Sequence, residues 1–190
     1  MKKIYFITSN KGKVLEAKNK FSVFNIEIAQ KNFGYPEIQA ENLEDVAGFG
    51  VKYLQDKFNE PFILEDAGLF IDVLNGFPGV YSSYVYHTIG CEGILRLLKD
   101  FNESKRKAIF RSVFAYKEPK SKPLFFIGEC NGKISTKSMG ANGFGYDPIF
   151  VPGDSNKTFA QMKTDEKNSF SHRGKSLDKL IKNFGKNITI

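Results

Sequence analysis

The first third of the chain alternates between two patterns of apolar residues. Residues 4–7 form one continuous apolar run, as a buried strand does. Residues 43–58 instead place apolar side chains three or four positions apart, which predicts an amphipathic helix of about four turns. A helix over 11–21 and short strands over 25–29 and 61–64 complete the order strand, helix, strand, helix, strand. This order predicts an α/β sheet.

The middle of the chain has a different pattern. Residues 108–116 and 124–129 are predicted to be antiparallel strands joined by a turn rich in Lys, Pro and Ser, and residues 132–135 add a shorter strand. One helix is predicted over 92–99, and the last helix is expected to end at Gly185.

Length and composition exclude several classes of protein. A chain of 190 residues that is 41% hydrophobic has the size of one domain and enough apolar material for a core, so wholesale disorder is excluded. We therefore expect one domain over residues 1–190. No apolar run reaches the roughly 18 residues of a membrane span, and the apolar stretch after the basic N-terminus is too short for a signal peptide. The expected location is the cytoplasm, with no membrane partner.

The residues that usually bind zinc or form disulfides are scarce. Cys91 and Cys130 have neither the number nor the spacing of a disulfide framework or a metal site, and are expected to be buried free thiols. His87 and His172 are the two histidines, too few for a zinc cluster. A bound metal is therefore expected to be a hard ion coordinated by carboxylates.

The net charge of +7 leaves two kinds of anionic partner open. The 28 Lys and Arg residues exceed the 21 Asp and Glu residues, but the lysines are scattered along the chain and form no single tract. A basic surface attracts nucleic acid, and it equally attracts a small polyanion such as a nucleoside triphosphate. Charge alone does not choose between them.

A candidate phosphate-binding segment lies between the first strand and the first helix. It contains Thr8, Ser9, Asn10, Lys11, Gly12 and Lys13. Hydroxyls, a glycine, two lysines and the free N–H groups of a helix start suit phosphate, and Ser9 or Asn10 would cap the helix. The predicted buried face of that helix contains Val14, Leu15, Lys18 and Phe21. An ordinary capped turn with solvated lysines is the alternative.

Two adjacent carboxylates, Glu65 and Asp66, follow the buried strand at 61–64. Since neighbouring strand residues point to opposite faces, one of them is expected to face a site while the other braces it. The strand end is where α/β sheets bind ligands, although a plain surface turn would give the same residues. A metal would need a second carboxylate, for which the candidates are Glu37, Glu41, Glu44 and Asp45.

Two later segments could bind a nucleobase. Residues 140–150 contain three glycines in six positions, and Phe144 and Tyr146 offer flat faces for stacking; a plain glycine-rich hairpin is the alternative. In residues 163–175 a helix start at Thr164 is followed by His172 and Arg173, which could donate to phosphate or base oxygens. A satisfied histidine and a solvated basic face would explain this segment equally well.

Six segments in order resemble the inosine/xanthosine triphosphate pyrophosphatase family in its archaeal-type form. They span about residues 4 to 180, nearly the whole chain. They are Ile7–Lys13, Tyr35–Gln39, Glu65–Leu69, Gly76–Ser82, Gly143–Pro148 and Ser171–Gly174.

The resemblance implies hydrolysis of ITP, dITP and XTP to the monophosphate and pyrophosphate. Asp66 would be the general base and a Mg²⁺ ligand, with Glu37 as the other ligand, and residues 8–13 would bind the triphosphate. Ala67 stands where the family usually has serine, so only its backbone could contribute. The remaining nucleotide-binding residues implied by the resemblance are Phe144, Gly145, Tyr146, Asp147, Lys167, His172 and Arg173.

The same resemblance implies an elongated, twisted mixed sheet flanked by helices, with two lobes and a central substrate cleft. It also implies a homodimer, for which residues 76–86 are a candidate contact surface; alternatively they pack in the core. Two other functions stay open. A Maf-type nucleotide pyrophosphatase would prefer other bases, and a basic single-stranded nucleic-acid-binding domain would need neither Asp66 nor Mg²⁺.

Overall fold

A seven-stranded mixed sheet forms the centre of the molecule. The computed structural model describes residues 2–36 and 38–187. The strands are β1 (Lys2–Ile7), β2 (Ile26–Lys31), β3 (Phe62–Ile71), β4 (Pro78–Gly79), β5 (Lys107–Lys117), β6 (Leu124–Ile134) and β7 (Phe150–Pro152). The helices are α1 (Lys11–Phe21), α2 (Leu43–Leu54), α3 (Ser82–Thr88), α4 (Gly90–Leu97), α5 (Thr164–Phe170) and α6 (His172–Asn187).

The sheet combines a parallel part and an antiparallel part. Its order is β2-β1-β3-β5-β6-β7, and the short β4 pairs with β3. β1 is parallel to both β2 and β3, and the other pairs are antiparallel. The predicted α/β class with an antiparallel part is thereby confirmed.

Three long strands connect the two ends of the molecule. β3, β5 and β6 contain 10, 11 and 11 residues, which corresponds to about 33–36 Å of extended chain. At one end, α1 and α6 pack on one face of the sheet and α2 on the other. At the other end, the same three strands form a separate apolar core with α3, α4 and β7. The change from one core to the other falls at residues 65–68 of β3, so this stretch lies in the middle of the molecule.

Several predicted boundaries were wrong: two strands are longer than predicted, and one helix is shorter. β3 continues beyond Asp66, since it pairs with β5 over ten consecutive positions. β6 continues through residues 132–134, which were predicted to be a separate strand, because they also pair with β5 and β7. α2 ends at Leu54, so Phe58 lies beyond the helix although it continues the helical spacing. The apolar Phe58 ring packs there on Tyr5 and Phe62.

The helices of the second half also differ from prediction. α3, within the segment predicted as a contact surface, was not predicted. α6 begins at His172, so His172 and Arg173 belong to the helix, and it continues past Gly185. Over the residues described here, none of the helices combines the length and the apolar character that crossing a membrane requires.

Both cysteines are free thiols, as predicted. Cys130 is buried and Cys91 is partly buried. Burial raises the pKa of each thiol to about 11, so both are protonated at neutral pH.

Candidate functional site

The two carboxylates of β3 point to opposite faces of the sheet, as strand alternation predicted. The side chain of Glu65 is fully buried on the face covered by α1 and α6. Asp66 is partly exposed on the other face, where the Tyr35 hydroxyl donates to its Oδ2 at 3.4 Å. Glu65 therefore braces the structure, whereas Asp66 remains accessible to a ligand.

The segment before α1 is an ordered helix start. Asn10, one of the two predicted caps, accepts a hydrogen bond from the Lys13 N–H at 3.1 Å. Thr8 Oγ1 accepts one from the Asn10 N–H at 3.1 Å, and Ser9 and Lys11 are exposed. The side chain of Lys13 turns towards β3 and donates to the carbonyl oxygen of Glu65 at 3.0 Å. The predicted phosphate segment thus lies beside the paired carboxylates.

A chain of buried ion pairs runs from this segment to the glycine-rich loop. Lys13 Nζ lies 3.1 Å from Glu65 Oε2, and Arg173 Nε donates to Glu65 Oε1 at 2.9 Å. Arg173 Nη1 then donates to Glu16 Oε2 at 2.6 Å. Lys167 Nζ donates at 2.6 Å both to Glu16 Oε1 and to Asp147 Oδ2, and Asp147 is the last member of the chain.

The acids of this chain titrate according to their charged neighbours. Burial alone would raise the pKa of Glu65, but Arg173, Lys13 and a hydrogen bond from Ser112 lower it to about 2. The pKa of Glu16 is also lowered, because Arg173 and Lys167 outweigh its burial. For Asp147 burial dominates and raises the pKa. The chain therefore alternates three acidic with three basic side chains.

Phe144 covers the two central cations of the chain. Its ring centroid lies 4.8 Å from Lys167 Nζ and 5.2 Å from the guanidinium carbon of Arg173, as in cation–π pairs. The ring also packs against Gly12, where an added Cβ would overlap it. Asp147 fixes the loop by accepting the Phe144 N–H at 2.8 Å. The glycine-rich loop thereby contacts the start of α1.

Two predicted base-binding side chains are buried. The Tyr146 hydroxyl donates a hydrogen bond to the Ser82 carbonyl at 3.1 Å, and its ring packs in the apolar core formed with α3, α4 and β7. The ring is therefore not available to stack on a base. His172 stacks on Phe110 with the ring centroids 4.5 Å apart, and among the described residues its Nδ1 has no hydrogen-bond partner. Burial and the charge of Arg173 keep the pKa of His172 well below its usual value, so the ring is neutral.

Of the two carboxylates predicted to bind a metal, one lies among the described residues. This is Asp66, a partly exposed residue whose carboxylate is a hard oxygen ligand of the kind that divalent cations prefer. Glu37 lies outside the described residues. Of the alternatives, Glu44 pairs with Arg111, Asp45 is hydrogen-bonded to Asn42, and Glu41 is exposed. Within residues 2–36 and 38–187, no group of three His, Cys, Asp or Glu side chains could hold a metal.

The sequence prediction missed Glu16 and Ser112. Glu16 joins Lys167 to Arg173, and Ser112 donates to Glu65 Oε1 at 2.7 Å. The signal for Glu16 was its place between Val14 and Ala17, both of which are buried. Leu15 and Lys18, which were predicted to be on the buried face, are exposed.

Comparisons with known proteins agree over nearly the whole chain. A model of the Ham1 family matches residues 4–183. A dITP/XTP pyrophosphatase of Pyrococcus horikoshii is 55% identical, with 92% of each chain covered. One of Thermococcus kodakarensis is 50% identical, covering 92% of this chain and 93% of its own.

Solved structures show the same architecture. The structure of a HAM1 protein from Coxiella burnetii superposes with a TM-score of 0.83 at 29% identity, covering 98% of this chain and 100% of its own. The Staphylococcus aureus Ham1 protein gives 0.81 at 28% identity, with 98% and 99% covered. Taken with the match over residues 4–183, these relatives show that the chain belongs to the Ham1 family.

Proposed function

We propose that this chain hydrolyses ITP, dITP and XTP to the corresponding monophosphate and pyrophosphate. One observation carries the proposal: Glu65 forms ion pairs both with Lys13, from the predicted phosphate-binding segment, and with Arg173, which was predicted to bind the nucleotide. The next residue in the strand is the partly exposed Asp66. A site of this kind can bind both ends of a nucleotide. The dITP/XTP pyrophosphatases that are 50–55% identical to it support the same reaction.

Asp66 would act as the general base. Its carboxylate is partly exposed, so it can contact a water molecule and accept its proton as that water attacks the triphosphate. Residues 8–13 would bind the triphosphate through N–H groups of the α1 start and through Lys13. We propose that the whole chain acts as one domain in this reaction.

A divalent metal is the general requirement of Ham1-family pyrophosphatases, and Mg²⁺ is the ion that we propose here. Asp66 and Glu37 would be its ligands. Bound there, Mg²⁺ would neutralise part of the triphosphate charge.

Base selectivity would come from buried donors. Arg173 and Lys167 lie under the Phe144 ring, so this ring would have to swing away and could then stack on the base. A 6-oxo purine offers an acceptor to these donors and to the neutral His172, whereas a 6-amino group leaves a buried donor unpaired. Each unpaired donor costs about 1–3 kcal/mol, or roughly 5- to 150-fold in selectivity.

We also propose that the enzyme is a homodimer of the cytoplasm. The support is an exposed aromatic surface around α3: Tyr81, Tyr84 and Tyr86 are 44%, 70% and 37% exposed. Such a surface is typical of an interface and disfavours the alternative that the segment packs entirely in the core. Light scattering after size exclusion should give twice 21.5 kDa for the wild type and 21.5 kDa for Tyr84→Glu.

The direct test is pyrophosphate release from ITP, dITP, XTP, ATP and GTP, each with Mg²⁺ and with EDTA. We expect release from the first three only, and only with the metal. Equal release from all five would keep the phosphate chemistry and reject the base selectivity. No release from any nucleotide would reject the proposed function.

A further inference from the structure

Glu65 is the point at which the phosphate-binding and base-binding parts of the site touch. Its two carboxylate oxygens contact different cations: Oε2 lies 3.1 Å from Lys13 Nζ, and Oε1 accepts from Arg173 Nε at 2.9 Å. Lys13 and Arg173 belong to helices at opposite ends of the sequence, α1 and α6. Within the proposed function, on which this inference rests, Lys13 binds phosphate and Arg173 binds the base.

We infer that Glu65 is a positioning residue that couples triphosphate binding to base recognition. Its side chain is fully buried and is fixed from the strand side by the Ser112 hydroxyl at 2.7 Å. One buried carboxylate therefore interacts with two cations, and water does not screen these interactions. Anything that withdraws one cation strengthens the attraction to the other.

Of the two ion pairs of Glu65, the one with Lys13 is the one that can dissociate. The Lys13 side chain is 19% exposed, whereas that of Arg173 is 2% exposed and is also fixed by Glu16. A triphosphate at the α1 start competes with Glu65 for the Lys13 ammonium. When Lys13 turns to the phosphate, Glu65 interacts with Arg173 alone, and the guanidinium is held more firmly between Glu65 and Glu16.

Coupling of this kind is reciprocal. If triphosphate binding orders Arg173, then a base that uses Arg173 must in turn favour the release of Lys13 to the phosphates. The two fragments of the substrate should therefore bind more tightly together than apart, but only when the base carries the 6-oxo acceptor. Coupling between sites is typically about fivefold or more.

The test measures the two fragments separately by calorimetry. Tripolyphosphate is titrated into the protein alone, with saturating inosine, and with saturating adenosine. For the wild type we expect inosine to tighten tripolyphosphate binding about fivefold or more and adenosine to leave it unchanged. For Glu65→Gln, which keeps the size of the side chain and removes its charge, we expect the effect of inosine to disappear.

Two further variants separate coupling from a merely structural role. Ser112→Ala removes a hydrogen bond from Glu65 but keeps its charge, so the effect of inosine should persist. Lys13→Gln changes a partly exposed side chain and should fold even where Glu65→Gln does not; tripolyphosphate should bind it more weakly and without any effect of inosine.

The inference is overturned if inosine has no effect in the wild type, or if its effect survives in Lys13→Gln or in folded Glu65→Gln. Loss of the effect in Ser112→Ala would also overturn it, since packing alone would then explain the result. Hydrolysis of ITP by the wild type is measured in parallel. A wild type that couples the fragments but releases no pyrophosphate would reject the proposed function and leave the coupling intact.

Discussion

Strand β3 carries two adjacent carboxylates whose surroundings have little in common. On the face of Glu65, three acids and three bases alternate in a buried chain that extends from Lys13 to Asp147. On the face of Asp66, the carboxylate is partly exposed and the Tyr35 hydroxyl lies 3.4 Å from it. The two residues are neighbours in the sequence, but their side chains lie in different environments because successive strand residues point to opposite faces of the sheet.

The difference separates two tasks that one carboxylate could not perform. A general base must exchange protons with water, so it must be within reach of a water molecule. A carboxylate that fixes cations must remain charged, and the pKa of Glu65, lowered to about 2, ensures this. We therefore expect substitutions on the Asp66 face to change activity, and substitutions on the Glu65 face to change stability as well.

The strongest test of this comparison is Asp66→Asn. We expect the rate of pyrophosphate release from ITP to fall about 10³-fold or more, because amides do not accept the proton and a general base contributes about 10²–10⁴-fold. The melting temperature should change by only a few degrees. Asp72→Asn, at the exposed residue that follows the end of β3, is the matched control and should keep wild-type activity. A rate within tenfold of the wild type would remove Asp66 from the role of base.

The Glu65 face is tested by Glu16→Gln. This change removes the acid between Lys167 and Arg173 and leaves an excess of buried positive charge. We expect the free energy of unfolding, measured in urea, to fall by about 3 kcal/mol or more. The control is Lys157→Met, which breaks an exposed pair with Glu166 and should cost less than about 1 kcal/mol. Equal losses would mean that the buried chain contributes no more than a surface pair.

Much of the fold could be predicted because its signals are local. The apolar run of β1, the cap at Asn10 and the spacing in α2 are all properties of short segments. The continuation of β3 beyond Asp66 could not be predicted this way. Pairing with β5, some 40 residues later in the chain, keeps two carboxylates and a glycine extended where their own preference is for a turn.

The candidate site was predictable to the extent that its residues stand in recognisable segments. Lys13, Lys167 and Arg173 were named from such segments, and so were Glu65 and Asp147, but Glu16, the acid that joins Lys167 to Arg173, was not. Glu16 acquires its partners only when α1 packs against α5 and α6, and the one local signal was its place between the apolar Val14 and Ala17 of an amphipathic helix. Interactions between distant elements therefore account for what the sequence missed.

The two histidines provide a pH test of the Glu65 face. His172 is neutral in the folded state because burial and the charge of Arg173 lower its pKa. Glu65 raises this pKa in part, and the charges of Lys167 and Lys13 lower it further. The unfolded chain binds a proton below about pH 6.5, so stability is lost as the pH falls. Between pH 7.5 and pH 5.5 this one group should lower the free energy of unfolding by about 1.4 kcal/mol, measured as the difference between the wild type and His172→Gln, because the raised pKa of Asp147 acts in the opposite direction in both proteins.

Urea unfolding between pH 7.5 and 5.5 measures this loss. His172→Gln should abolish it, because the titrating group is gone. His87→Gln changes the exposed histidine of α3 and should keep the full wild-type dependence. If His87→Gln flattened the profile and His172→Gln did not, the buried face would not be the origin of the pH dependence.

The smallest expected effect concerns the contact that covers the Glu65 face. An alanine at Gly12 would overlap the Phe144 ring, so Gly12→Ala should destabilise the wild type by about 1 kcal/mol. With Phe144→Ala as the background, the ring is absent and alanine is the better helix former. There Gly12→Ala should stabilise the protein by up to about 1 kcal/mol.

Urea unfolding of the wild type, both single variants and the double variant closes a thermodynamic cycle. The change of sign corresponds to an interaction of about 1–2 kcal/mol between the two positions. Additive effects would mean that the Phe144 ring and Gly12 have no measurable interaction energy, so that the ring could move off the cations beneath it without loss of stability. A clear interaction energy would instead show that the glycine-rich loop closes the Glu65 face.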